Sequence, residues 1–236
     1  MNNEKKSIVF DTGPIITFTL NELLWLLDDL QKKFGGDFLI TEGVKHELIT
    51  RPLRSKKYMF EAIRVNDQIN EGVLKLLSDN EILPKARQLT DLANNCFKAE
   101  GKYIELVHQA EMETVAAGLH LNSTAIVIDE RTSRMLIEEP YELAKMMEEK
   151  LHTKIEINEN VLRKFKIETK GMKIIRSVEL VIVAYEMGLL DRYVTSKGKI
   201  DNKMKKLLLE SVLWALKLNG CAISKKNIDA ILRLEK

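Results

Sequence analysis

The stretch Ser7-Ile8-Val9-Phe10-Asp11-Thr12-Gly13-Pro14 decides how this chain is read. An apolar, partly β-branched run stopped by Asp-Thr-Gly-Pro has the pattern of a short buried strand. Thr12 or Gly13 suits a helix N-cap and Pro14 suits a first helical turn, so the strand passes straight into a helix. A second run of the same kind, Ala125-Ile126-Val127-Ile128, is closed by Asp129. In an open parallel sheet the ligand crevice lies outside the carboxyl ends of the strands. An acid that closes a strand therefore stands at the edge where such folds place their chemistry.

Working outward, Ile16, Leu20, Leu23, Leu24 and Leu27 mark a helix that Gly35-Gly36 ends. Phe38-Leu39-Ile40 is a further strand. Thr41 then caps a helix carrying Val44, Glu47 and Leu48, with Glu42 in its first turn and Pro52 as its stop. Residues 62–66 are expected to form a third strand, and 84–121 a helical stretch broken near Gly101. A fourth strand spans 124–128, with a helix from about 130. Residues 138–172 look like an insertion with a weak strand around Ile155-Glu156-Ile157. Lys173-Ile174-Ile175 makes a fifth strand. Helices follow at 177–188, ended by Gly188, then at 201–218 and 225–234, the last capped by Ser224. Strands alternating with helices predict βαβ units: an α/β chain with a parallel sheet of about five strands.

Composition narrows the function classes. A hydrophobic content of 45% with 31% charged residues describes a folded globular chain and excludes disorder. No apolar run approaches the roughly 20 residues a membrane span needs. Met1-Asn2-Asn3-Glu4-Lys5-Lys6 has no signal-peptide core behind it, so the expected location is the cytoplasm. Cys96 and Cys221 form no C-x-x-C pair and are expected to be buried thiols. Charge is unevenly placed. Residues 151–236 hold 18 Lys+Arg against 10 Asp+Glu, and the rest holds 19 against 25. A basic tail on an acidic body fits one face for cations and another for a polyanion, or simply a set of solvated Lys-rich helices. Lys203, Lys205 and Lys206 are the tail's candidate contacts for such a polyanion. Arg51, Arg54, Lys56 and Lys57 form a second basic segment after Glu47.

Four acids, Asp11, Glu47, Glu113 and Asp129, lie where separate segments of an α/β fold could bring them to one sheet edge. Carboxylates that converge repel one another and call for a shared cation. Mg²⁺ or Mn²⁺ is the expected ion, and phosphodiester hydrolysis the chemistry it would serve. Glu111 and Glu113 are two apart, about 200° around a helix, so only one can face a given cleft. Glu113 shares a face with the small residues Ala116 and Ala117 and is the preferred ligand, with Glu111 supporting. Glu130 leaves the same strand end as Asp129, and Arg131 is placed to hold a phosphate. Other chemistries are poorly served. The single Asp-Thr-Gly lacks the partner an aspartic protease needs. The residue two after Asp11 is Gly13, not a second Asp as in D-x-D phosphatases. No phosphate-cradling glycine motif is present, and the four His have no zinc spacing.

These segments together resemble a PIN-domain protein, and more narrowly the prokaryotic PIN subgroup related to VapC toxins. Phe10-Asp11-Thr12-Gly13-Pro14-Ile15-Ile16 resembles that subgroup's opening D-T-S-P-L-I, and Val44-Lys45-His46-Glu47-Leu48 its second-acid helix. Gln109-Ala110-Glu111-Met112-Glu113-Thr114-Val115-Ala116-Ala117 resembles G-E-A-E-A-I-A-L-A. Ile128-Asp129-Glu130-Arg131-Thr132-Ser133-Arg134 resembles I-D-D-R-x-G-R. Val183 to Leu190 resembles A-K-x-x-G-L-I, and Asn219 to Ser224 resembles G-F-R-I-S. The likeness spans about 8–236, interrupted by 138–172. Gly13, Gln109 and Glu130 depart from the usual residues. The resemblance implies a three-layer α/β/α PIN-like fold, with a nuclease domain over 1–190 and a C-terminal helical extension over 191–236. It implies a metal-dependent endoribonuclease acting on single-stranded RNA. Thr12, Glu111, Glu130 and Arg131 would support the four acids. A protein antitoxin and a second copy of the chain would be possible partners. A weakly catalytic PIN-fold binding module is the alternative.

Overall fold

The computed structural model describes residues 6–196 and 199–234. Met1–Lys5, the segment read for a leader, lies outside them. Strand β1 (Ser7–Phe10) leads into α1 (Thr12–Leu20) and α2 (Leu26–Phe34), then β2 (Asp37–Thr41) and α3 (Glu42–Lys45). A π-helical turn, His46–Thr50, and a 3₁₀ turn, Pro52–Arg54, join α3 to α4 (Met59–Asn70) and β3 (Leu74–Leu77). Next come α5 (Ile82–Asn94), the hairpin β4 (Phe97–Ala99) and β5 (Lys102–Tyr103), α6 (Gln109–His120) and β6 (Ala125–Val127). After them run α7 (Arg131–Glu138), α8 (Pro140–Leu151), β7 (Ile155–Ile157), α9 (Glu159–Glu168), β8 (Ile174–Ile175) and α10 (Ser177–Glu186). A short hairpin, β9 (Thr195–Ser196) with β10 (Lys199–Ile200), precedes α11 (Asn202–Leu218) and α12 (Lys225–Leu234).

The central sheet is all-parallel and five-stranded, in the order β3-β2-β1-β6-β8. Its strands obey the two-residue period. Ile8 and Phe10 of β1, Phe38 and Ile40 of β2, and Val127 of β6 enter one apolar cluster, with α1, α2 and α10. Val9, Leu39 and Ile126 point the other way, into a second cluster with α5, α6, α8 and α9. Alternation along each strand thus builds two cores, one per face, and the result is a three-layer α/β/α arrangement. Leu209, Leu213, Leu216 and Ile228 of the C-terminal helices enter the first cluster.

Three sequence expectations are corrected. Residues 62–66 are not a strand. They sit inside α4, which buries Ala62, Val65 and Gln68 and leaves Ile63 exposed, so the helical period outweighs the β-branched composition. The third strand comes afterwards, at Leu74–Leu77, beyond Gly72 at φ 76°. The single helix expected after Asp11 is two, α1 and α2, parted at Glu22, which is left-handed. The break near Gly101 is a hairpin, turned by Glu100 and Gly101, both at positive φ. The insertion 138–172 supplies β7, which pairs antiparallel with β4, and buries Leu143, Met147, Leu162 and Phe165 in the second cluster.

At Gly118, α6 passes close over the sheet. A Cβ there would stand 2.4 Å from Ile126 Cγ2 and 3.1 Å from Met172 Cε. Alanine would gain about 1 kcal/mol of helix propensity. The overpacking should outweigh that gain, since forced insertion of a methyl costs about 1–3 kcal/mol. Gly118→Ala should therefore lower unfolding free energy by about 1–2 kcal/mol in urea titration. An unchanged or raised midpoint would mean α6 does not lie this close.

Candidate functional site

Going outward from β1, one crossover runs to β2 on one side, while the chain reaches β6 on the other. The sheet's topological switch point therefore lies between the carboxyl ends of β1 and β6, where open α/β folds place their ligand crevice. Asp11 follows β1 directly, its N–H donating to Val127 O at 3.0 Å, and its side chain is buried. Burial raises the Asp11 carboxyl from 3.8 to about 7. The backbone N–H groups of Thr12 and Gly13 act against that rise, while Glu111 and Glu47 add to it.

Each neighbour is held by a hydroxyl. Glu47 is exposed on the π-helical turn, in which Arg51 N–H bonds His46 O, five residues back. Such widened turns re-aim side chains and recur at functional sites. Glu47 Oε2 accepts from Thr12 Oγ1 at 2.6 Å. Glu111, half-buried on the first turn of α6, accepts from Ser133 Oγ at 2.6 Å. Burial raises the Glu111 carboxyl and nearby Glu130 adds to the rise, against the Ser133 bond. Glu130 caps α7 by accepting from Ser133 N–H at 2.5 Å. Thr12, Glu111 and Glu130, read from the sequence as supports, thus lie around Asp11 and Glu47.

The other two of the four acids are engaged elsewhere. Glu113 is buried and accepts from Gly43 N–H at 3.0 Å, at the start of α3. A Cβ on Gly43 would stand 2.3 Å from Glu113 Oε2, so only glycine lets this carboxylate approach. Glu113 tethers α6 to the helix that leads to Glu47, and it is Glu111 whose field reaches Asp11. Asp129 is buried and accepts three hydrogen bonds: from Ser177 N at 2.7 Å, Ser177 Oγ at 2.7 Å and Thr17 Oγ1 at 2.9 Å. Register accounts for this. Phe10 pairs with Val127, so Asp11 lies level with Ile128 and Asp129 is one residue further on. One residue reverses the face of a strand. Asp129 turns to the α1 and α10 layer, while Asp11 faces the layer of α6. Gly13 separates them; a Cβ there would lie 3.5 Å from Asp129 Cβ and 3.8 Å from Asp11 Oδ2.

Among the described residues, no three His, Cys, Asp or Glu side chains already stand as a metal-holding group. Glu47 and Glu111 each have one oxygen bonded, to Thr12 and Ser133 respectively. Cys96 and Cys221 are buried and free, and burial pushes both thiols up to about 12, so neither is a nucleophile or ligand at neutral pH.

The cationic candidates fall into three places. Arg51, Arg54, Lys56 and Lys57 are exposed on the turns after Glu47. Next to them stand exposed Tyr58, at φ 62° and just before α4, and Phe60, in the first turn of α4 and 68% exposed. Neither aromatic stands out in the sequence alone; their position within a basic segment is the signal that could have found them. Tyr58 also lines an apolar groove with Ile16, Leu48 and Glu47. Arg131 is exposed beside Glu130, its Nε 3.3 Å from Met135 Sδ. Lys203 and Lys206 are exposed on α11, whereas Lys205 pairs with Asp191 at 2.8 Å. No family model and no curated protein sequence matches this chain. Among the described residues no helix is long and apolar enough to cross a membrane.

The raised Asp11 carboxyl makes a stability prediction. The folded state keeps this proton to about pH 7, whereas an unfolded chain releases it near 3.8. Folded protein binds more protons in that window, so its stability falls as pH rises from about 4 to 7 and does not return above it. Three decades of proton affinity correspond to at most about 4 kcal/mol. Asp11→Asn removes the buried charge. In chelator at pH 8 it should melt above the parent protein, with the gain vanishing near pH 4. Equal melting temperatures at both pH values would contradict the burial argument.

Proposed function

We propose that this chain is a metal-dependent endoribonuclease of PIN-like architecture, acting on single-stranded RNA. One observation carries the reading. A buried carboxyl, Asp11, stands at the switch point of a parallel sheet, and the charged neighbours that raise it are carboxylates, Glu47 and Glu111. Such a group is costly to ionise alone and favours a divalent cation. Asp11, Glu47 and Glu111 are the donors that suit Mg²⁺ or Mn²⁺, all oxygen ligands on separate elements. An ion bound there would supply Lewis-acid stabilisation of charge on the phosphate oxygens and help activate water.

The chain's own residues have separate tasks in this scheme. Thr12 orients Glu47 through its hydroxyl. Ser133 orients Glu111 and is itself fixed by Glu130. Glu113 sets the α3 segment through Gly43. Asp129 joins the end of β6 to α1 and α10, keeping the crevice floor rigid. Arg131, at the start of α7, is placed to meet a phosphate. Relative to the expectation from sequence, Glu111 replaces Glu113 as a proposed ligand, and Asp129 becomes a positioning residue. A role as a toxin masked by a small antitoxin, or in routine RNA processing, fits the same chemistry, as does a second copy covering the apolar groove.

A second reading has its own support. Asp129 is tied to α1 and α10 by three hydrogen bonds, which engages one of the four acids in holding the fold. That favours a PIN-like module that binds RNA or protein with weak catalysis. Metal-dependent cleavage of a single-stranded RNA separates the two. Asp11→Asn and Glu111→Gln should each abolish it while circular dichroism stays unchanged. Glu113→Gln should reduce it by about tenfold, the lower end for groups that orient a ligand. Cleavage that survives excess chelator, or proceeds undiminished in Asp11→Asn, would rule out the proposal.

A further inference from the structure

A cavity of about 550 Å³ opens between α7, the end of α11 and the start of α12. Its lining brings together four cations from two helices and the segment before a third: Arg131 and Arg134 of α7, Lys217 of α11, and Arg176 before α10. Ser224 and Asn227 complete it at the start of α12. The lining is fixed in place. Arg176 Nη1 donates to Ala222 O at 3.0 Å, Lys217 Nζ donates to Ile223 O, and Ala222 N–H donates to Asp129 O at 3.3 Å. The loop 219–224 is thereby strapped to the residue that follows β6.

The charge balance there is strongly positive. Glu179 offsets Arg176, and Glu138 approaches Arg134 at 3.3 Å. Arg131 and Lys217 have no carboxylate partner among the described residues. The positive end of the α12 dipole adds to them, with Ser224 Oγ accepting from Asn227 N–H at 3.1 Å. The first turn of α12 holds no acid, and it holds Lys225 and Lys226, where cations are unfavourable. An arrangement this adverse is relieved by an anion. Forked guanidinium groups with a helix N-terminus suit the several oxygens of a phosphate.

We propose that this cavity is a phosphate site that anchors a nucleic-acid strand next to the acidic crevice. The strand's identity as RNA rests on the ribonuclease reading; the phosphate chemistry rests on the four cations alone. Arg131 lines the cavity and follows Glu130, which with Ser133 holds Glu111, so a strand leaving the crevice along α7 would bring a further phosphate to the cavity.

Binding should be measured in chelator, by fluorescence anisotropy of a short single-stranded RNA at several salt concentrations. Using a 5′-phosphorylated strand, its 5′-hydroxyl twin, and inorganic phosphate as competitor keeps cleavage out of the readout. The double variant Arg134→Gln with Lys217→Gln should bind about tenfold more weakly. Its salt dependence should flatten by about 0.7 for each phosphate charge that the protein no longer neutralises. Arg131→Gln, which removes an exposed side chain, should show a smaller decrease in the same direction and controls for folding. Inorganic phosphate should compete with the parent protein and not with the double variant. A preference for the 5′-phosphorylated strand that the double variant loses assigns the cavity to a strand end. Equal binding of the two strands, weakened alike, assigns it to internal phosphodiesters. Parent-like affinity and salt slope in both variants would overturn the phosphate site, whatever the cleavage assay gives. Flattened slopes in a protein that cleaves nothing would leave the site standing and remove the nuclease reading.

Discussion

The buried carboxyl of Asp11 is the constraint around which the rest is arranged. It sits where two strands of a parallel sheet part, and it is removed from water without a basic partner among the neighbours that shift it. A fold keeps an uncompensated acid in such a place only at the expense of its own stability. Thr12 and Ser133 each occupy one oxygen of a flexible glutamate, Glu47 and Glu111, and keep both beside Asp11.

The sheet fixes which acids can take part. Strand periodicity is two, and it is counted from the register rather than from the visible end of an apolar run. Ile8 and Phe10 lie on one face with Val127, and Val9 on the other with Ile126. Asp11 continues the Val9 face. Asp129, offset by one residue, continues the Val127 face and becomes a buried bracket for α1 and α10. The two acids look alike in sequence because each closes a run of β-branched residues, yet they serve opposite layers.

Much of the fold was legible because its signals are local. Apolar runs stopped by Asp-Thr-Gly-Pro, a Thr41 cap and glycines after helices marked β1, β2, β6, α3 and α10. The third strand was misplaced because Ala62-Ile63-Arg64-Val65 has strand composition, while burial follows the helical spacing of Ala62, Val65 and Ile69, which only tertiary packing decides. In the site, strand ends and helix spacing pointed to Asp11 and Glu47, and the structure sets Glu47 and Glu111 where their charges act on Asp11. The choice between Glu111 and Glu113 turned on the rotation of α6 over the sheet, which spacing gives only relative to the helix itself. Small residues at Ala116 and Ala117 pointed to the packed face, and Glu113 lies on that face, bonded to Gly43. The position whose charge reaches Asp11 is the half-buried Glu111. The cavity of Arg131, Arg134, Arg176 and Lys217 was hidden because its members are scattered widely along the chain and meet only through the strapping of the 219–224 loop.

The central claim is that Asp11 is an acid poised for a divalent cation. Carbon-13 NMR of the aspartate carboxyls, with Asp11 assigned through Asp11→Asn, measures this directly. Without divalent ions the Asp11 signal should titrate near pH 7, and with Mg²⁺ its midpoint should fall below the ordinary aspartate value of 3.8. A midpoint near 3.8 in both conditions, or one near 7 that Mg²⁺ leaves in place, would contradict the account.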